Sequence, residues 1–183
     1  MIRRMGDGGV TAAEREEKIR RALEAWEEIP AGLTAAEADE YWMAAALKLA
    51  QMAADEGEVP VGCVIVRDGR ILTGDYNGRE ATHDATAHAE TAAISAACRK
   101  LGGWRLTRCT LYVTLEPCPM CAGAIWNARV PRVVFGAKDA KAGAMGSVLN
   151  MASYPLNFKP AVSPAIRERE SRELLRTFFE QRR

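Results

Sequence analysis

Cys118 and Cys121 stand three residues apart in Glu116-Pro117-Cys118-Pro119-Met120-Cys121, directly after the alternating, β-branched run Cys109–Leu115. A strand running straight into this hexapeptide predicts a helix opening at the cysteines. Residues i and i+3 share one helix face, so both thiols can grip one small object. Pro119 takes the first helical position, where a missing N–H costs nothing. The positive end of the helix dipole lowers a thiol's pKa and favours the thiolate that binds metal.

Two thiolates leave a tetrahedral zinc site incomplete, so a third ligand must come from elsewhere. The chain has two histidines, and one of them stands in His88-Ala89-Glu90. A structural zinc site wants four protein ligands, usually as two paired clusters. Here there is one cysteine pair and one suitable histidine, with a glutamate two residues beyond it. Three protein ligands leave a position for water, as a catalytic zinc requires. In mid-helix, His88 and Glu90 would face nearly opposite ways. Their joint use therefore demands a second helix mouth, and Thr86 suits its N-cap. H-x-E followed by P-C-x-x-C is the signature of zinc nucleobase deaminases.

Composition narrows the setting. The chain has 183 residues, enough for one domain with an ordinary core and an appendage. Of five cysteines, Cys63, Cys98 and Cys109 lie in apolar runs and are expected as buried thiols, not a disulfide framework. The first nine residues hold no apolar run of signal-peptide type. Trp42–Ala54 is interrupted by Lys48 and Gln51 and is too short for a bilayer. A cytoplasmic protein with no membrane partner is expected. Net charge is +1 but unevenly spread: residues 1–40 hold 6 Lys/Arg against 10 Asp/Glu, and the rest 19 against 14. A mildly basic body fits weak attraction to phosphate without demanding it.

Along the chain, residues 1–10 read as disordered, and 11–29 as a helix capped by Thr11 with Glu14 as its capping-box partner. Ile19, Leu23 and Trp26 form a thin apolar stripe along it. Thr34, with Glu37, caps a second helix through Asp55 that buries Trp42, Ala45, Ala46, Leu49 and Ala53. Val59–Arg67 and Arg70–Tyr76 read as a hairpin across Asp68-Gly69. Asn77–Ala87 reads as a polar loop delivering His88, with a helix to Leu101. Arg132–Gly136 is a further strand, Lys138–Ser147 an exposed loop, and Ala161-Val162 a short strand. A last helix is expected from Ile166 to Arg183, burying Ile166, Leu174, Leu175 and Phe178. Residues 1–35 thus form an N-terminal extension, and 36–183 the zinc domain.

At 41–181 the chain resembles the bacterial tRNA-specific adenosine deaminases, which convert the wobble adenosine of an anticodon to inosine. The resemblance rests on Glu40-Tyr41-Trp42-Met43, Glu58-Val59-Pro60-Val61-Gly62, His83-Asp84-Ala85-Thr86-Ala87-His88-Ala89-Glu90, Thr110 through Ala124, Arg132 through Lys141, and Gly146-Ser147. It departs at Ala85, where the family commonly has proline, and in residues 1–35. The resemblance implies an α/β fold: a three-layer α/β/α, cytidine-deaminase-like domain with a mixed five-stranded sheet and helices on both faces. It implies one Zn2+ per subunit, held by His88, Cys118 and Cys121, with Glu90 as the catalytic proton carrier. It further implies a homodimer acting on a tRNA anticodon stem-loop. Asn77 would bind the purine, Ala89 N–H would lie near the attacked carbon, Val59 would wall the pocket, and Asp139 would touch the nucleotide near the ribose.

Plainer roles stand beside these. Asn77 next to Gly78 suits a turn, Asp139 a loop, and Glu116 a support for its own turn. Two other functions remain open from the sequence: a free-base deaminase for guanine or cytosine with the same zinc site, and a zinc-stabilised RNA-binding module without catalysis. The Lys138–Ser147 loop and Thr114-Leu115-Glu116 favour the tRNA branch.

Overall fold

Five strands form one mixed sheet in the order β2-β1-β3-β4-β5. The structure, a computed structural model, describes residues 11–182; the expectation of disorder for 1–10 and the position of Arg183 lie outside them. Strands β1 (Gly62–Arg67) and β2 (Arg70–Tyr76) make an antiparallel hairpin, and β1 also pairs antiparallel with β3 (Cys109–Leu115). Strands β4 (Arg132–Ala137) and β5 (Ala161–Ser163) continue the sheet in parallel with β3. The hairpin turns at Asp68 and Gly69, whose φ angles of 51° and 74° match the twist of the flanking strands.

Alternation along the strands divides the core in two. Cys63, Ile65, Leu111, Val113, Val133 and Phe135 face one side, packed against α4 (Ala89–Leu101) and α5 (Pro119–Asn127). Val64, Val66, Tyr112 and Val134 face the other, packed against α1 (Ala12–Ala22) and α2 (Ala35–Asp55). A sixth helix, α6 (Glu168–Glu180), lies on that second face beside β4, and a single turn, α3 (Arg79–Thr82), follows β2. The expected three-layer α/β/α arrangement is thus observed.

Helix α2 approaches the sheet closely because its inner face is alanine-rich. At Gly62 a Cβ would lie 2.2 Å from Ala46 O and 2.5 Å from Ala50 N, so only glycine fits beneath the helix. Both expected capping boxes form, Thr11 with Glu14 and Thr34 with Glu37. A polar connection that the sequence did not reveal crosses the same face: Arg132 donates in a fork to Asp39, and Tyr112 Oη donates to the same carboxylate.

Several boundaries differ from expectation. The helix expected over 11–29 ends at Ala22, with a 3-10 turn at Glu24–Trp26. The chain then pairs with the edge strand β2: Glu27 O accepts from Ile71 N, and Ile29 N donates to Gly69 O. Of the stripe, Ile19 and Leu23 are buried and Trp26 is half-buried. Strand β1 begins at Gly62 rather than Val59, since Pro60 has no N–H for a ladder. Asn77–Ala87 contains α3, and Lys138–Ser147 is not wholly exposed, for Ala144 and Met145 are buried. The last helix starts at Glu168, and of its expected core residues only Phe178 is fully buried; Ile166, Leu174 and Leu175 are half-covered. Cys98 is likewise half-buried, whereas Cys63 and Cys109 are buried. No helix among the described residues is long and apolar enough to cross a membrane.

One tertiary link ties α1 to the hairpin. Arg15 Nε and Nη2 donate to Asp75 Oδ1 at 3.0 and 2.8 Å. Burial raises the Asp75 pKa above the ordinary carboxylate value, and the Arg15 charge opposes that rise. Replacing Arg15 by alanine would leave this carboxylate unpaired and is expected to cost about 1–3 kcal/mol. A carboxyl with a raised native pKa binds more protons when folded, so its contribution falls as pH rises through that value. The deficit of Arg15→Ala in denaturant melts should therefore be larger at pH 8 than at pH 5; an equal deficit at both would contradict the pairing.

Candidate active site

Two helix mouths meet at one end of the sheet. Strand β3 ends at Leu115, and Cys118 is the N-cap of α5, in extended backbone at φ −71°, with Pro119 at the first helical position. Cys121 follows one turn later and is fully buried. Opposite, His88 is itself the N-cap of α4, at φ −80° and ψ 153°. This corrects the expectation for Thr86, which stands two residues before the N-cap and whose N–H and Oγ1 both donate to Asp84 Oδ1. With His88 at the cap, Glu90 falls in the first turn, and both side chains serve the same end of the helix.

His88 Nδ1 lies 3.7 Å from Cys118 Sγ and 3.5 Å from Cys121 Sγ. In a tetrahedral zinc site with bond lengths of about 2.3 Å to sulfur and 2.0–2.1 Å to nitrogen, ligand atoms sit about 3.6 Å apart. The three side chains therefore fit a zinc ion without rearrangement, and Nδ1 is the nitrogen that would bind it. They are also the group of three metal-ligating side chains found together among the described residues. The Cys118 pKa is pushed down to about 4, first by the hydrogen bond from the Cys121 thiol and also by His88, against the effect of burial. That bond pushes Cys121 up, and burial adds to it. Two thiols sharing one proton in this way would lose it to solvent when a metal binds.

Glu90 is buried, at 4 % exposure. Burial raises its pKa to about 7, with the Cys118 charge adding to the rise. The result is a carboxyl able to hold or give up a proton near neutrality, next to the three ligands.

Two other carboxylates are spent on support. Glu116 is buried and receives the N–H groups of Asp139, Met145 and Ser147 at 3.2, 2.9 and 3.0 Å, together with the Ser147 hydroxyl. Burial pushes its pKa up, yet these bonds outweigh it and hold the carboxyl below the usual range. Gly143 leaves room for the arrangement: a Cβ there would lie 2.4 Å from the Glu116 carboxyl carbon. The turn-supporting role expected for Glu116 is thus observed. Glu58, whose role the sequence did not disclose, is buried and accepts from Glu80 N and Ala81 N at 2.8 and 2.9 Å, capping α3.

The remaining expected residues divide. Asn77 is buried, and its Oδ1 accepts the Ala89 N–H at 3.1 Å, so these two residues bind each other at the mouth of α4. Val59 and Asn77 line a cavity of 360 Å³ together with Glu58, Arg79, Phe178 and Arg182. Asp139 Oδ1 accepts from Lys141 N and Ala142 N, which folds its own loop.

A family model of the cytidine and deoxycytidylate deaminase zinc-binding region matches residues 36–137. The tRNA-specific adenosine deaminase of Bacillus subtilis (strain 168) is 45% identical over 146 residues, 79% of this chain and 91% of that protein. The chain belongs to this zinc-binding deaminase family, in its tRNA-specific adenosine deaminase branch. A solved structure from work on A-to-I editing by tRNA:A34 deaminases superposes with a TM-score of 0.70 at 46% identity, covering 71% of this chain and 95% of that one. A Bacillus subtilis guanine deaminase structure is more distant, at 33% identity and a TM-score of 0.52 over 64% of this chain and 86% of that one.

Metal analysis of the purified protein is expected to return one zinc per chain. Cys118→Ser should lose it, whereas Cys98→Ser should keep it; retention of zinc in Cys118→Ser would remove that thiol from the ligand set.

Proposed function

We propose that the protein deaminates the wobble adenosine of a tRNA anticodon to inosine by zinc-dependent hydrolysis. What carries the reading is a histidine nitrogen poised between two thiols at paired helix mouths, with a buried, near-neutral carboxyl beside them. His88, Cys118 and Cys121 would hold the zinc, which when bound polarises a water and lowers its pKa toward ~7. Glu90 then moves protons: it accepts one from the water, delivers it to N1 of the adenine, and assists the departing ammonia. Oxygen adds at C6 and the C6–N6 bond breaks, leaving inosine.

The base needs only a shallow extrusion, since an anticodon loop presents unpaired nucleotides. By the family resemblance, Asn77 and Val59 would stand against the base. With Oδ1 engaged by Ala89, the Asn77 amide nitrogen is left to donate to the purine. We assign the Ala89 N–H to holding Asn77 before substrate arrives, and Asp139 to the loop that would face the ribose. By the same kinship we infer a homodimer working in the cytoplasm.

Support for tRNA over a free base comes from the relatives: identity is higher, and coverage more complete, toward tRNA-specific enzymes than toward the guanine deaminase. Incubation with an unmodified anticodon stem-loop should yield inosine at the wobble position and leave guanine and cytosine untouched. Turnover of the free bases alone would overturn the tRNA assignment. Glu90→Gln should retain zinc and lose activity by about 10²–10⁴-fold; an undiminished rate would show that the proton moves by another route.

A further inference from the structure

We propose that Arg15, carried by residues 11–29 as a strap along the hairpin edge, is a positioning residue for Asn77. This rests on the deaminase reading above. The strap lies outside the family match, which begins at residue 36. It is nonetheless bound to the body along its length. Ile19 and Leu23 are buried in the core shared with α2. Lys18 pairs with Glu56, Glu27 O accepts from Ile71 N of β2, and Ile29 N donates to Gly69 O in the hairpin turn.

Arg15 acts where β2 ends and the pocket begins. Besides its two bonds to Asp75, its Nη2 donates to Tyr76 O at 2.6 Å. Its guanidinium carbon lies 3.8 Å from the centre of the Tyr76 ring. On the far side of Asn77, the space over Gly78 is filled by the same guanidinium, 3.3 Å from where a Cβ would stand. One side chain therefore brackets Asn77, fixing residues 75 and 76 before it and covering 78 after it. Asn77 in turn holds Ala89 N–H, between His88 and Glu90. A continuous line of contacts runs from the strap to the reacting groups, and a shift at the end of β2 moves the base relative to the metal.

Such a device has a kinetic signature. Most tRNA affinity comes from phosphate contacts distributed over the RNA, so misplacing Asn77 should lower kcat and leave KM nearly unchanged. Displacements of about 1 Å cost up to about a hundredfold in rate. Arg15→Ala, assayed well below its melting temperature, should lose about tenfold or more in kcat, with KM within about twofold of wild type. The loss should vanish when the substitution is made in an Asn77→Ala background, because both act through one group.

Ile19→Ala is the control, since it loosens the strap by removing packing and leaves the Arg15 contacts in place. An equal kcat loss in Ile19→Ala, or additive losses in Arg15→Ala/Asn77→Ala, would overturn the proposal and make Arg15 a stability clip. Hydrogen exchange decides the same point without activity: Arg15→Ala should accelerate the amides of Asn77, Gly78 and Ala89 more than sheet-core amides such as Ile65 and Leu111, and a uniform rise or unchanged exchange would overturn the proposal. Should wild type make no inosine, the functional reading fails, while the exchange result still determines whether Arg15 holds the loop.

Discussion

Two helix starts are held face to face at one end of the sheet, and the metal chemistry depends on that juxtaposition. A helix N-terminus offers free N–H groups and partial positive charge. At α5 this favours the thiolate of Cys118; at α4 it places an N-cap histidine and a first-turn glutamate on the same side. Neither helix could supply the site from its middle, where His88 and Glu90 would diverge. The sheet makes the meeting possible: α4 and α5 pack on one face of it, and both contribute to a single core with Cys63, Leu111 and Val113. Ala89 and Ala93 of α4 and Ala122 of α5 are small, buried members of that core.

Three buried glutamates around this point show how environment assigns role. Glu116 collects four hydrogen bonds and is held ionised, tying the 138–147 loop down over the cysteine turn. Glu58 collects two and organises α3, the turn that leads the chain from Asn77 toward His88. Glu90 is burdened by burial and by its thiol neighbour, and titrates near 7. The same side chain is thus an anchor where N–H groups converge on it and a carboxyl with a raised pKa where burial prevails. Carboxyl groups whose surroundings push their pKa values apart are the usual mark of divided labour in a site.

This division also explains what was legible in the sequence. The metal ligands and Glu90 could be read because their chemistry is encoded in short spacing: two thiols at i and i+3, and a histidine two before a glutamate. The capping boxes at Thr11 and Thr34 and the Asp68-Gly69 turn are equally local, and each appears where expected. The partners of Glu58, Glu116, Asp39 and Arg15 were not legible. Their contacts bridge 22 to 93 residues, and no spacing rule connects such positions. Thr86 misled for a related reason. It has the chemistry of a cap, but Asp84 captured it first in a tighter local turn. A competing short-range hydrogen bond is invisible to a rule that scores one position at a time.

The strap supplies what an edge strand lacks. Strand β2 has β1 on one side only, and edge strands expose unpaired backbone groups and fray readily. Yet β2 leads directly into Asn77, whose Oδ1 accepts the Ala89 N–H at the mouth of α4. Two constraints act on that end. From the sheet side, Asn77 N donates to Val61 O at 3.0 Å. From the other, Arg15 takes the Tyr76 carbonyl and the Asp75 carboxylate, while Glu27 and Ile29 lend the near half of β2 a partial partner. The Ala89 N–H adds a third hold through Asn77 Oδ1, so the strand end is fixed from the sheet, from α4 and from the strap together. Fixing an edge strand from outside the sheet costs the domain no new strand, only a short helix whose arginine reaches across.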